Sequence, residues 1–242
     1  MKTEQLKELA ILLGADIVRV ADLASLKGIE TCPANLLEGL QTAVSLAVRL
    51  SNEIVDSVVD CPTPLYHQHQ LKVNAVLDHI AIRITNYIQN AGGKAVPIPA
   101  SHILDRTRWI SYISHKAVAI AAGVGWQGKS LVVVNRKWGP RIRLATILTD
   151  LPLKTDEPVH NLCGACSLCA EACPGQAIKN VNTNRHYPDR NEALFLDRCA
   201  AKVAGEFTGI PGIEGPTCGV CIRVCPWGRK GGREETETAI RV

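Results

Sequence analysis

The sequence predicts an α+β domain followed by a small, cysteine-rich, ferredoxin-like module, and three observations carry that expectation. Apolar residues recur with helical period in some stretches and alternate in others, without the regular strand–helix–strand repeat of a parallel sheet. Hydrophobic residues make up 46% of the 242-residue chain, enough to build a substantial core. Eight of the ten cysteines crowd into the last third, between Cys163 and Cys225. Leu151-Pro-Leu-Lys-Thr-Asp-Glu-Pro158 reads as the junction. The expected divisions are an α+β cofactor or substrate domain over 1–155, a two-cluster domain over 156–228 and a charged, mobile tail over 229–242.

The first domain opens with a helix over 3–13, where Leu6, Leu9, Ala10 and Leu13 share a face and Gly14 ends the run. Asp16 to Ala21 alternates as a strand. Pro33 opens a short helix through Leu40. Ala43 to Arg49 is a second strand, with a composition that suits burial on both faces. Cys61-Pro-Thr-Pro64 is a stiff turn, and from Leu65 to Ala91 a long amphipathic helix follows, stopped by Gly92-Gly93. Lys94 to Ile98 is a short strand whose prolines place it at a sheet edge. A helix over Ile113 to Ala122 and strands at Ser130–Val134 and Ile142–Thr149 complete the domain.

The cysteines carry the chemistry. Cys163-Gly-Ala-Cys166-Ser-Leu-Cys169-Ala-Glu-Ala-Cys173-Pro174 is the C-x2-C-x2-C-x3-C-P run of two-cluster ferredoxins. In such a run the first three thiolates hold one [4Fe–4S] cube and the fourth ligates the other. A second set exists downstream: Cys199, then Cys218-Gly-Val-Cys221-Ile-Arg-Val-Cys225-Pro226. One cluster is therefore assigned to Cys163, Cys166, Cys169 and Cys225, the other to Cys173, Cys199, Cys218 and Cys221. A zinc site needs four thiolates in two pairs and has no use for a third cysteine at the same short spacing. A disulfide framework belongs to small secreted domains, whereas this chain opens directly into a polar amphipathic helix. Cys32 and Cys61 have no partner at ligand spacing and read as ordinary thiols.

Gly123-Val-Gly-Trp-Gln-Gly-Lys-Ser130 matches both G-x-x-x-x-G-K-S and G-x-G-x-x-G. Both phosphate-binding mechanisms require a strand before the loop and a helix after it. Here a helix precedes and a strand follows, so nucleotide binding is not expected.

Bulk properties exclude other classes. No apolar run reaches the length of a membrane span. The net charge of +4 is modest, its positive excess lies in the first domain, and 4% aromatic residues leave few stacking platforms for nucleic acid. Ten cysteines without an export signal point to a reducing cytoplasm.

Gly125-Trp126-Gln127-Gly128-Lys129, then Asn135-Arg136, the strand ending at Thr149, the first cysteine run, and Cys225-Pro226-Trp227 together resemble epoxyqueuosine reductase, as does Tyr66-His67. The resemblance implies a cobalamin-binding α/β sandwich of nitroreductase-like fold joined to a two-cluster module, a construction shared with reductive dehalogenases. It implies electrons supplied by a low-potential ferredoxin- or flavodoxin-type donor, relayed through two [4Fe–4S] clusters to cobalamin. Tyr66, His67, Trp126, Gly128, Lys129 and Arg136 become candidate cofactor-binding residues, and Arg141 and Arg143 join the basic groups able to hold corrinoid amide or phosphate groups.

Three features depart from the family pattern. Pro99 stands where the family carries its acidic proton donor, which leaves His102 and Asp105 as the candidate catalytic residues. Leu65 replaces an acid before Tyr-His. The helical-repeat domain that helps full-length members hold tRNA does not follow the second cluster. These departures weigh against tRNA binding and leave the substrate open between a small molecule and a modified nucleoside. An electron carrier that activates a partner corrinoid protein is the alternative to a reductase. A first domain of this size favours the reductase.

Overall fold

The computed structural model describes residues 2–183, 186 and 190–229. Its centre is an antiparallel sheet in the order β1–β2–β6–β3, formed by β1 (Ile17–Asp22), β2 (Thr42–Arg49), β6 (Ile142–Thr149) and β3 (Ala95–Ile98). The central strands pair in long register, from Thr42 opposite Thr149 to Arg49 opposite Ile142. β3 pairs only with β6, the edge position its prolines demand.

Helices cover both faces. On one side, α1 (Thr3–Leu12) and α3 (Pro64–Asn90) bury Leu6, Leu77, Ile80, Ile84 and Ile88 against Val20, Val44, Leu46 and Ile147. On the other, α4 (His115–Ala121) packs Ala117, Val118 and Ile120 against Ala43, Ala47 and Leu148. Successive β2 residues thus point to opposite faces, and the run from Ala43 to Val48 is apolar except for the buried Ser45 because both faces are covered. Thr63 starts α3 by accepting the Tyr66 N–H on its side-chain oxygen at 3.1 Å, with Pro64 in the first turn.

Two expected elements differ. Residues 33–40 form successive turns closed by Leu36→Pro33, Glu38→Asn35 and Leu40→Leu37 bonds, all of the i→i+3 kind, with Gly39 at φ +72°. The expected strand over Ser130–Val134 shrinks to β5 (Val133–Val134), paired with β4 (Trp126–Gln127) outside the main sheet. Leu131 sits at φ +59° and its N–H bonds the Gly128 carbonyl at 2.9 Å, so the chain turns where an extended run was expected.

The cysteine-bearing segment adds short helices, α5 (Leu168–Glu171), α6 (Leu196–Ala200) and α7 (Val220–Arg223), with α2 (Asn52–Asp56) beside it. Asp156 ties the approach to this segment back to the sheet. Its carboxylate accepts from Lys7 Nζ at 2.9 Å, Arg19 Nη1 at 2.9 Å and the Val20 N–H at 2.8 Å. The tail expected to be mobile lies outside the described residues from 230 onward.

Candidate functional site: two thiol sets beside a cavity

The short spacing of the first cysteines becomes a tight turn followed by a helical turn. The Cys166 N–H bonds the Cys163 carbonyl at 3.1 Å, Gly164 takes φ +52°, and α5 carries Cys169 inward. Cys225 returns to this group from the far end of the segment, and its thiol feels Cys163, Cys169 and Cys166 electrostatically. Cys163, Cys166, Cys169 and Cys225 line one narrow cavity of about 30 Å³, to which Cys221 also contributes. Cys199 is coupled in the same way to Cys173, Cys218 to Cys199 and Cys173, and Cys221 to Cys218 and Cys199. Cys221 also feels Cys169, so the two sets adjoin.

Burial pushes the thiols up: Cys169 and Cys218 to about 11, Cys225 to about 12, and Cys199 and Cys221 upward as well. Neighbouring thiols push in the same direction. Four thiolates in so poor a solvent need a cation to replace their protons, which is the donor chemistry of an iron–sulfur cube. Among the described residues no three His, Cys, Asp or Glu side chains converge on a single-ion point. A cube instead places each thiolate on its own iron.

The Gly-Trp-Gln-Gly-Lys segment packs against the first set. Trp126 donates its indole N–H to Cys163 Sγ at 3.3 Å and meets Trp227 edge-on at 5.0 Å. Lys129 donates to the Cys166 carbonyl at 2.8 Å. The glycines serve close backbone approach: a Cβ on Gly123 would lie 2.0 Å from the Glu157 carbonyl oxygen, and one on Gly125 would lie 2.2 Å from that of Val134. α4 precedes the segment, β4 lies within it and β5 follows it, which is not the strand–loop–helix order of a phosphate loop.

Tyr66 and His67 face the second set's loop. A Cβ on Gly219, between Cys218 and Cys221, would lie 2.6 Å from the Tyr66 ring. Burial holds the Tyr66 phenol neutral, against the opposing pull of Arg143. His67 Nε2 accepts the Glu214 N–H at 3.2 Å. Arg141 is buried and donates to Asp56 at 2.6 Å. Arg143 is held by Asn74 at 3.0 Å and Gln70 at 3.1 Å. Arg136 is exposed.

A second cavity of about 870 Å³ opens between α4, the start of β6 and the 101–113 loop. Ala117, Ile120, Val133, Ile142 and Leu144 form apolar wall. Of the two candidate proton donors, His102 lines it and stacks on Tyr112 with 5.7 Å between centroids. Asp105 does not line it. Its carboxylate accepts the Arg108 and Thr107 N–H groups of its own turn, which hold it below the usual carboxylate range, so it is a surface turn residue.

Sequence reasoning missed Lys116 and Ser111. Lys116 lines the cavity, where burial pushes its ammonium down to about 8 with help from Arg190, while Cys199 and Cys221 pull it up. Ser111 Oγ is buried and has no hydrogen-bond partner among the described residues, in the same wall. No motif marks either residue; only the cavity identifies them.

Residues 162–228 match the 4Fe-4S double cluster binding domain family. The epoxyqueuosine reductase of Leadbetterella byssophila is 30% identical over 145 residues, which cover 60% of this chain and 43% of that protein. That of Cellulophaga algicola is 30% identical over 165 residues, covering 67% and 49%. The chain is thus similar in sequence to epoxyqueuosine reductases, and its cysteine-bearing segment matches a double-cluster family. It spans about half the length of these curated relatives. The structure superimposes over 94% of its own length on 32% of a catabolic reductive dehalogenase bound to 3-bromo-4-hydroxybenzoic acid (TM-score 0.73, 21% identity). It also covers 64% of an epoxyqueuosine reductase crystallised with a modified tRNA-Tyr stem loop (TM-score 0.62, 22% identity). These likenesses establish a shared fold. No helix among the described residues is long and apolar enough to cross a membrane.

Proposed function

We propose that this protein relays electrons through two [4Fe–4S] clusters to a corrinoid or similar acceptor in the 870 Å³ cavity. The observation that carries this reading is that the cavity adjoins the second thiol set. Lys116 lines the cavity and acts on Cys199 and Cys221, and Ile222, next to Cys221, is part of the wall. The first cluster is held by Cys163, Cys166, Cys169 and Cys225, the second by Cys173, Cys199, Cys218 and Cys221. Cys221 and Cys169 line one cavity and act on each other electrostatically, which supports transfer from the first cluster to the second.

The cavity suits a large, mostly apolar cofactor with a few polar handles. Its volume lies in the upper range of ligand sites, and Ser111 Oγ and Lys116 offer donors from its wall. A bound corrinoid would supply a cobalt centre for low-potential reduction. The chain's own part is to orient the acceptor on the apolar wall of α4 and β6, exclude water, and hold a proton at His102. The three-layer region, over residues 1–155, is read as the nitroreductase-like, cobalamin-binding type, with the cluster domain over 156–228 and a tail from 229. We further propose a cytoplasmic protein with a ferredoxin- or flavodoxin-type donor, whose substrate is a small molecule or modified nucleoside.

Anaerobic reconstitution tests this reading. About eight irons per chain are expected, with two reducible centres by electron paramagnetic resonance (EPR) and a changed cobalt signal on adding cob(II)alamin. Cys225→Ala should remove the cluster held by the first cysteine run and leave the other. Intact clusters with an unchanged cobalt spectrum would favour the carrier function. Loss of the second cluster in Cys225→Ala would reverse the ligand partition.

A further inference from the structure

The segment that mimics a phosphate loop holds two polar groups against the first thiol set. Trp126 is only 1% exposed, so its indole N–H cannot rely on water, and the acceptor it meets is Cys163 Sγ at 3.3 Å. Lys129, 4% exposed, donates to the Cys166 carbonyl at 2.8 Å, which holds its charge beside the first thiol set. The hairpin that presents them has little freedom. A Cβ on Gly125 would strike the Val134 carbonyl, and one on Gly128 would lie 2.8 Å from the Val134 side chain. The same indole meets Trp227, two residues beyond Cys225, so it is wedged between both ends of the ligand set.

We infer that Trp126 and Lys129 are positioning residues that set the reduction potential of the first cluster. The inference rests on the cluster reading proposed above. A reduced cluster carries one more electron. A hydrogen bond to a ligand sulfur and a buried cation nearby both stabilise that added charge, which raises the potential. Packing alone does not call for this pairing, because an apolar side chain would leave no buried N–H in need of an acceptor. The hairpin therefore makes the α+β region part of the first cluster's electronic environment. On this assignment, the glycine-rich loop tunes an electron relay.

The test is a redox titration of the anaerobically reconstituted full chain, followed by EPR, for the wild type, Trp126→Phe, Trp126→His and Lys129→Met. Trp126→Phe should shift one centre to more negative potential at unchanged iron content and leave the other in place. Trp126→His, which keeps a ring N–H, should recover part of the shift. Lys129→Met should move the same centre in the same direction and carries the test if the Trp126 variants load iron poorly. Wild-type iron content with both midpoints unmoved in Trp126→Phe and Lys129→Met would overturn the inference. A wild-type protein that forms no reducible centre would overturn the cluster reading and this inference with it.

Discussion

Replacing Asp156 with asparagine removes one charge and almost no volume at the point where the cysteine-bearing segment is tied to the sheet. The carboxylate is 12% exposed and accepts three bonds of 2.8–2.9 Å. Lys7, with a 19% exposed side chain, makes a charge-assisted bond that contributes about 1.5–2 kcal/mol. Arg19 is half exposed, so solvent screening leaves at most about 0.5 kcal/mol. Asparagine keeps an oxygen for the Val20 N–H but offers nothing to the two cations. The expected loss for Asp156→Asn is about 2 kcal/mol, rising to about 3 kcal/mol for Asp156→Ala, which also strands the Val20 N–H. Urea unfolding at matched iron content, followed by far-ultraviolet circular dichroism, reads this as a lower midpoint with an unchanged slope. The pH dependence is a second check. Burial raises the carboxyl, but the bonds from Lys7, Val20 and Arg19 outweigh it and leave it below its ordinary value of 3.8. Its stabilisation is then complete above about 3.8 and is lost as pH falls through the lower folded value. The gap between wild type and Asp156→Asn should close in acid. A loss below about 0.5 kcal/mol at neutral pH, or a gap that persists undiminished in acid, would refute the reasoning.

Further expectations concern the loop, the cavity and the core. Gly123→Ala places a Cβ 2.0 Å from the Glu157 carbonyl at φ +73°, where a side chain is already strained. It should cost about 3 kcal/mol or more, read as a lower Tm. Lys116→Met removes a half-buried cation that acts on Cys199 and Cys221. It should lower the potential of the centre that Trp126→Phe leaves in place, by on the order of tens of millivolts, in an EPR redox titration. Ile84→Ala empties a fully buried position on α3 and should cost about 2–5 kcal/mol in chemical denaturation, with no change in either cluster's potential.

Much of the architecture was legible because its signals are local. The amphipathic period of α3 and its flanking Thr63-Pro64 and Gly92-Gly93, the proline-marked β3, the doubly buried β2 and the strand pattern of β6 lie within single segments. Where local patterns misled, backbone geometry overrode composition. The Val-rich run after Ser130 turns at Leu131, and the segment after Pro33 closes only i→i+3 bonds.

By itself the sequence determined the eight-thiol inventory, its separation into two interleaved runs, and the reversed helix–strand order that rules out a phosphate loop. Each follows from spacing along the chain, and spacing survives without a fold. Only the tertiary structure decided where those thiols meet the rest of the molecule. It put the Trp126 N–H on Cys163, turned Asp105 into its own backbone, and placed Lys116 and Ser111 in one cavity wall. These relations depend on the β1–β2–β6–β3 order and on burial. They join residues far apart in the chain through contacts that leave no periodicity or motif in the sequence.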